Sequence, residues 1–77
     1  MTHTLASLRP GQSAVITGIT THGAVAQRLM HLGIVEGMEV EFVRRAPTGD
    51  PIEIRVMGYK LSLRNDEADT INVEIRD

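Results

Sequence analysis

The sequence predicts a mainly β fold, a small and partly open barrel of five strands with one short α-helix between the first strand and the second. The chain has 77 residues, which is enough for one domain spanning residues 1–77. Apolar and polar residues alternate along most of its length, a pattern typical of strands with one buried face. A single segment has helical periodicity instead, and turn residues separate the alternating runs.

The helix is predicted over residues 23–32, where β-branched residues are scarce. Its apolar face consists of Val25, Leu29 and Leu32. A hydroxyl of Thr20 or Thr21 is expected to accept a hydrogen bond from the free amides at its start. Gly33 suits the left-handed conformation that commonly ends a helix. Because about ten residues make a marginal helix in isolation, packing against the sheet has to stabilise it.

The strands follow from the alternating segments. They are predicted at residues 13–20, 38–46, 52–56, 59–64 and 71–75. Residues 47–51 form a turn rich in Gly, Pro and Asp between the second strand and the third, and Gly58 interrupts the alternation before the fourth. Asn65 is expected to cap a helical turn over residues 65–69, just before the last strand.

This succession of short strands and tight turns favours an SH3-like barrel. The OB-type barrel is also built from five strands, but its helix normally lies between the third strand and the fourth. Here the helix follows the first strand. The SH3-like architecture therefore fits the order of elements better.

Composition excludes several classes of partner. The formal net charge is −2 and the isoelectric point is near 5.8, whereas nucleic-acid binding normally requires a basic surface. Phe42 and Tyr59 are the only aromatic residues, too few for a base-stacking platform or for an aromatic groove that reads proline-rich peptides. The chain has no cysteine, no apolar leader and no long apolar run, which predicts a cytoplasmic protein without membrane insertion.

No catalytic or cofactor-binding motif is recognisable in the sequence, which predicts a protein that is not an enzyme. His22 and His31 would bracket the helix and point in different directions, so no metal site is predicted there. The acidic residues at 66, 67 and 69 lack the glycine and terminal glutamate of a calcium loop. Their charge is explained by the start of the helical turn.

Several segments, taken in order, carry a family resemblance. They are Leu8-Arg9-Pro10-Gly11, Arg28-Leu29-Met30-His31-Leu32-Gly33-Ile34, Glu36-Gly37, Ala46-Pro47-Thr48-Gly49-Asp50-Pro51-Ile52 and Leu61-Ser62-Leu63-Arg64. At these separations they closely resemble the FeoA family over nearly the whole chain. Glu36 departs from the pattern, because many relatives have proline there.

The resemblance implies an SH3-like domain that serves bacterial ferrous iron uptake as a small cytosolic accessory to the permease FeoB, which carries a GTP-binding domain on its cytoplasmic side. Similar domains also occur at the C-terminus of metal-dependent transcriptional repressors. This chain contains no helix-turn-helix segment, which favours a free-standing protein. The alternative function is direct sensing of Fe(II) or another divalent ion. An exposed strand edge is also compatible with weak self-association.

The residues predicted to contact the partner come from the sequence itself. They are Arg28, Met30, His31 and Arg64. The helix is an insertion whose non-core face has no evident structural purpose, while the outer faces of the strands carry the mixed charge of a solvated surface. Met30 lies at the edge of the apolar stripe. Two roles are compatible with that position, packing in the core and contact with a partner.

Overall fold

The computed structural model describes residues 3–76, which form one antiparallel sheet with short helices at its ends. The strands are β1 (His3–Thr4), β2 (Ser13–Ile19), β3 (Glu39–Arg45), β4 (Ile52–Val56), β5 (Tyr59–Leu63) and β6 (Ile71–Arg76). The helices are a 3₁₀ turn (Leu5–Ser7), α1 (Ala24–His31) and α2 (Asn65–Ala68). The strand order is β1-β6-β2-β3-β4-β5, which leaves β1 and β5 at the edges.

The five predicted strands correspond to β2 through β6, and the helix lies between the first two of them as predicted. The additional strand, β1, pairs His3 with Val73 and Thr4 with Asn72. Two residues cannot show an alternation of their own, so no sequence pattern could indicate this strand. Bulges on β2 between Ile16 and Gly18, and on β3 beyond Phe42, shift the register. Bulges of this kind bend the strands and help the sheet to curl.

The core is a single apolar cluster between the inner face of the curved sheet and the helices. It contains Leu5, Leu8, Ala14, Ile16, Leu29, Ile34, Val40, Phe42, Ile52, Ile54, Val56, Leu63, Ala68, Ile71 and Val73. Leu29 is the one buried residue of α1. Val25 was predicted to share that buried face, but it is 42% exposed, because it lines an open groove between α1 and α2.

The ends of the helices differ in part from their predictions. Gly33 follows Leu32, the C-cap of α1, and has φ +96°, which confirms the left-handed position expected there. The predicted threonine cap is wrong: Gly23 occupies the N-cap without a side-chain hydrogen bond, and the Thr20 hydroxyl donates instead to the Thr70 carbonyl at 3.1 Å. Asn65 is the first residue of α2 and not its cap, since Arg64 takes the N-cap position.

A polar network around Arg45 fastens three peripheral segments to the sheet. Its guanidinium donates to the Ala6 carbonyl at 2.8 Å, to Asn65 Oδ1 at 2.8 Å and to the Gly49 carbonyl at 3.4 Å. The Asn65 side-chain amide donates to the same Gly49 carbonyl at 2.6 Å. The guanidinium also lies 5.1 Å from the centre of the Phe42 ring. One cation thereby joins the 3₁₀ turn, the β3–β4 loop and the start of α2.

Replacing this cation should therefore destabilise the fold. We expect Arg45→Met to lower the free energy of unfolding by about 1–3 kcal/mol, because three part-buried acceptors lose a charged donor. Urea denaturation measures the change. Arg44→Met is the matched control: Arg44 is exposed, and we expect its replacement to stay within about 0.5 kcal/mol of wild type. Equal losses in the two variants would contradict the assigned role of Arg45.

Candidate partner-docking surface

Large apolar side chains exposed to solvent cluster at one place in the part of the chain that the structure describes. Met30 is 48% exposed in the last turn of α1, and Val35 is 38% exposed shortly after it. Met57 and Tyr59, in and beside the β4–β5 turn, are 61% and 40% exposed. We call these four residues the α1-hairpin surface. Val25 is exposed too, but it lies in the separate groove beside α2.

The β4–β5 turn holds its apolar residue in an unfavourable conformation. Val56 pairs with Tyr59, so Met57 and Gly58 form a two-residue loop, and both have positive φ, +51° and +84°. This is the pattern of a type I′ turn, whose first position favours Asn, Asp or Gly. A bulky residue at positive φ is an outlier that local packing has to maintain. The protein thus keeps a methionine where stability alone would favour asparagine.

The turn packs against the C-terminal end of α1. The Tyr59 hydroxyl donates a hydrogen bond to the Leu32 carbonyl, the last residue before the glycine that ends the helix. A Cβ placed on Gly33 would lie 2.8 Å from Met57 Cε, so the methionine methyl group rests directly on the glycine backbone. These contacts hold the helix end and the hairpin turn together as one surface.

The four predicted contact residues fall into two groups. Met30 and His31 lie exposed in the last turn of α1, and Met30 belongs to the α1-hairpin surface instead of the core. Arg28 and Arg64 both contact Glu67 of α2, Arg28 through an ion pair and Arg64 through its main-chain amide. The four residues therefore differ in their surroundings: two contact α2, and two lie exposed at the end of α1.

Arg28 has a structural role that the sequence did not reveal. Its guanidinium forms an ion pair with Glu67, whose side chain is only 14% exposed, while that of Arg28 is 51% exposed. Glu67 Oε1 also accepts a hydrogen bond from the Arg64 main-chain amide at 3.0 Å. The expectation that the non-core face of the helix has no structural purpose is wrong for Arg28, because this residue ties α1 to α2.

Sequence reasoning missed Met57 and Tyr59 as members of the candidate site. Gly58 was interpreted only as an interruption between two strands. A usable signal was present: the two runs of alternating residues are separated by Met-Gly, where a hairpin normally has Asn-Gly or Asp-Gly. An apolar residue in that position indicates a requirement other than turn formation.

Metal-ligating side chains do not assemble among residues 3–76. No group of three or more His, Asp or Glu residues lies close enough there to hold an ion together. His31 ends α1, whereas His22 precedes the helix instead of lying on it, and both are exposed. Within the same residues, no helix has the length and apolar character needed to cross a membrane.

A small curled antiparallel sheet with a short helix between its first two long strands defines an SH3-like domain, as the strand pattern predicts. Comparison with known families agrees with this architecture. The family model described as the FeoA domain matches residues 3–75. The chain belongs to the FeoA domain family.

Relatives of known name are similar over almost the whole chain. A fusion of Fe(2+) transport protein A with the Fe(2+) transporter FeoB, from Porphyromonas gingivalis, is 37% identical over 71 residues, which is 92% of this chain and 8% of the fusion protein. The FeoA protein of Chlorobium tepidum is 40% identical with a TM-score of 0.90, covering 97% of this chain and 71% of that one. The zinc complex of Stenotrophomonas maltophilia FeoA, described as a prokaryotic SH3 domain protein, is 34% identical with a TM-score of 0.82, covering 94% of this chain and 89% of that one.

The fold also occurs within larger regulators. A manganese-dependent transcriptional repressor aligns with a TM-score of 0.89 at 17% identity, covering 97% of this chain and 37% of that one. At this level of identity the likeness shows the shared fold alone.

The contact between the glycine and the methionine can be tested by a pair of alanine variants. Gly33→Ala and Gly37→Ala should each lower the free energy of unfolding by about 1–2 kcal/mol, because both glycines have φ above +90°. A new Cβ at Gly33 should in addition displace the flexible end of Met57, whereas Gly37 has no neighbour within 4 Å of the corresponding position. The methyl resonance of Met57 should therefore shift in the first variant only. An unmoved resonance in Gly33→Ala would contradict the contact.

Proposed function

We propose that this chain is an accessory protein of ferrous iron transport that docks onto the cytoplasmic part of a FeoB-type permease. The observation that carries the proposal is the relative in which the same domain and the FeoB transporter form one polypeptide. Fusion keeps two modules at a high effective concentration, which is advantageous when the separate modules have to associate. Where the two modules are separate chains, a surface of the domain has to achieve the association without a linker.

The α1-hairpin surface has the composition expected of such a contact. Exposed apolar residues that cluster on a small domain mark interaction sites more often than isolated ones do. Methionine adapts its shape to a partner, and tyrosine combines a large apolar ring with a hydroxyl group. Met30, Met57 and Tyr59 thus provide an adaptable apolar centre, and His31 lies at its margin.

The remaining two predicted residues take a different part in this proposal. Arg28 is committed to Glu67, so it contributes mainly by positioning α1. Arg64 is highly exposed and lies 3.9 Å from Asp66 through Nε, a weak surface contact that leaves the guanidinium available. We place both at the rim of the docking region, where charge affects the rate of association more than the final affinity.

Met57→Asn separates docking from stability. Asparagine favours the first position of a type I′ turn, so the free energy of unfolding should rise by about 0.5–1 kcal/mol. Affinity for the purified cytoplasmic part of a FeoB-type permease should fall at least about tenfold, because a central apolar contact is lost. Calorimetric denaturation and surface plasmon resonance measure the two effects.

Met38→Leu is the control, since Met38 is half-buried beside the core and should bind like wild type. Met30→Asp is expected to weaken binding by a similar factor to Met57→Asn. If both docking variants bind the permease as wild type does, the α1-hairpin surface is not the contact. If wild type itself does not bind the permease, the proposed function fails.

Direct metal sensing is the second candidate, and the zinc complex of the Stenotrophomonas relative is the observation that favours it. Anaerobic calorimetry with Fe(II) distinguishes the two functions. For a docking protein we expect no stoichiometric binding at micromolar Fe(II), and His31→Ala should give the same trace as wild type. Saturable binding of one ion per chain that His31→Ala abolishes would favour the sensor instead.

A further inference from the structure

One edge of the sheet is long enough to accept another strand. Among residues 3–76, β5 pairs with β4 and no other strand, whereas the opposite edge, β1, has only two residues. Edge strands present unpaired main-chain groups, and proteins normally protect them by covering or shortening them. Within those residues β5 remains a five-residue edge without a strand beside it.

The hairpin geometry fixes which main-chain groups of β5 face outward. The residues that flank a two-residue loop form a hydrogen-bonded pair, so Tyr59 points its N–H and C=O toward Val56. Hydrogen-bonded pairs alternate along the ladder, which directs the corresponding groups of Lys60 and Ser62 away from β4. In the part of the chain that the structure describes, no turn, loop or cap hydrogen bond involves either residue.

The two faces of this edge have different chemistry. On the inner face, Tyr59 is 40% exposed and Leu61 is only partly buried against the core, so the core is incompletely covered there. On the outer face, Lys60 lies opposite Arg55 of β4, and both are exposed. Arg64 follows on the same side of the strand.

Acidic neighbours offset part of this charge. Arg55 lies opposite Lys60 on one side and opposite Glu41 of β3 on the other. Glu53 lies opposite Ser62 but is half-buried and pairs in register with Arg44 on its other side. Asp66 is exposed 3.9 Å from Arg64. Within residues 59–64, which form β5 and its end, the charged residues are Lys60 and Arg64, so the free edge itself is positive in a chain of net charge −2.

We infer that the free edge of β5 binds an extended segment of a protein partner in which acidic and apolar side chains alternate. The added strand would exchange main-chain hydrogen bonds with Lys60 and Ser62. Its apolar side chains would cover Tyr59 and Leu61, and its acidic side chains would face Lys60. The inference goes beyond the proposed function, because it concerns a second surface and applies to whichever protein supplies the segment.

A second copy of the chain fits this edge less well. Antiparallel pairing of two β5 edges would bring the Lys60 side chains of the two copies onto the same face. Like charges placed across a strand pair are destabilising. An acidic segment removes that repulsion and replaces it with attraction, which is why we assign the edge to a partner and not to self-association.

The probe is a capped octapeptide that alternates Glu and Val, titrated into the ¹⁵N-labelled full chain. We expect its binding to shift the amide resonances of Lys60 and Ser62 and to slow their hydrogen exchange. Ser62→Pro removes an outward N–H that the fold does not use, and proline is tolerated on edge strands in that orientation. Its affinity for the peptide should fall about tenfold through loss of a main-chain hydrogen bond.

The controls separate main-chain pairing from other causes. Ser62→Ala keeps the N–H and should bind like wild type. Lys60→Glu should weaken binding, and the more strongly the affinity of wild type falls with added salt, the larger this loss of affinity should be. A peptide of the same composition with its Glu and Val residues in two blocks should bind more weakly. If Ser62→Pro fails to fold, Lys60→Glu and the exchange rates decide.

Any of three results would overturn the inference. The first is a folded Ser62→Pro variant that binds the alternating peptide as tightly as wild type does, and the second is equal affinity for the two peptides. The third is protection of the Lys60 and Ser62 amides that grows with protein concentration in the absence of peptide, since this assigns the edge to a second copy of the chain.

Discussion

A short helix with one buried side chain gains little stability from its buried face, so contacts with distant segments have to hold it in place. Leu29 is the only residue of α1 that reaches the core, and a helix of eight residues has little stability of its own. The ion pair between Arg28 and Glu67 connects the last turn of the helix to α2, and the Tyr59 hydroxyl donates a hydrogen bond to the carbonyl of Leu32, the C-cap. The position of the helix therefore depends on two contacts with segments distant in sequence.

The candidate docking surface is a direct consequence of this arrangement. Because the hairpin turn has to reach the end of α1, its tip lies beside the helix and its side chains share one exposed region with those of the last helical turn. Gly33 allows the close approach, since any side chain there would displace Met57. The unfavourable φ of Met57 then has an explanation in the surface it completes, because the turn alone would be more stable with another residue.

Much of the fold could be predicted from local patterns, while the candidate site depended on distant contacts. Alternation indicated β2 through β6, and the glycine after α1 indicated the helix end. The exposure of Val25 could not be foreseen, because helical periodicity shows which residues share a face but not how much of that face the sheet covers. The pairing of Arg28 with Glu67 likewise joins residues that no local spacing relates.

Tyr59 connects the two surfaces considered for recognition. It is the first residue of β5, and its ring lies on the inner side of the free edge. Its hydroxyl reaches the end of α1, so the same side chain belongs to the α1-hairpin surface. A partner that adds a strand along β5 would therefore meet the end of the helix as it continues past the turn, and main-chain pairing would fix the direction in which its apolar side chains approach Met57 and Met30. Main-chain pairing along β5 fixes the direction of a bound segment but discriminates little between sequences. An adaptable methionine surface favours apolar side chains but does not fix the direction of the segment. The two surfaces together would define both the direction and the apolar residues of a bound partner.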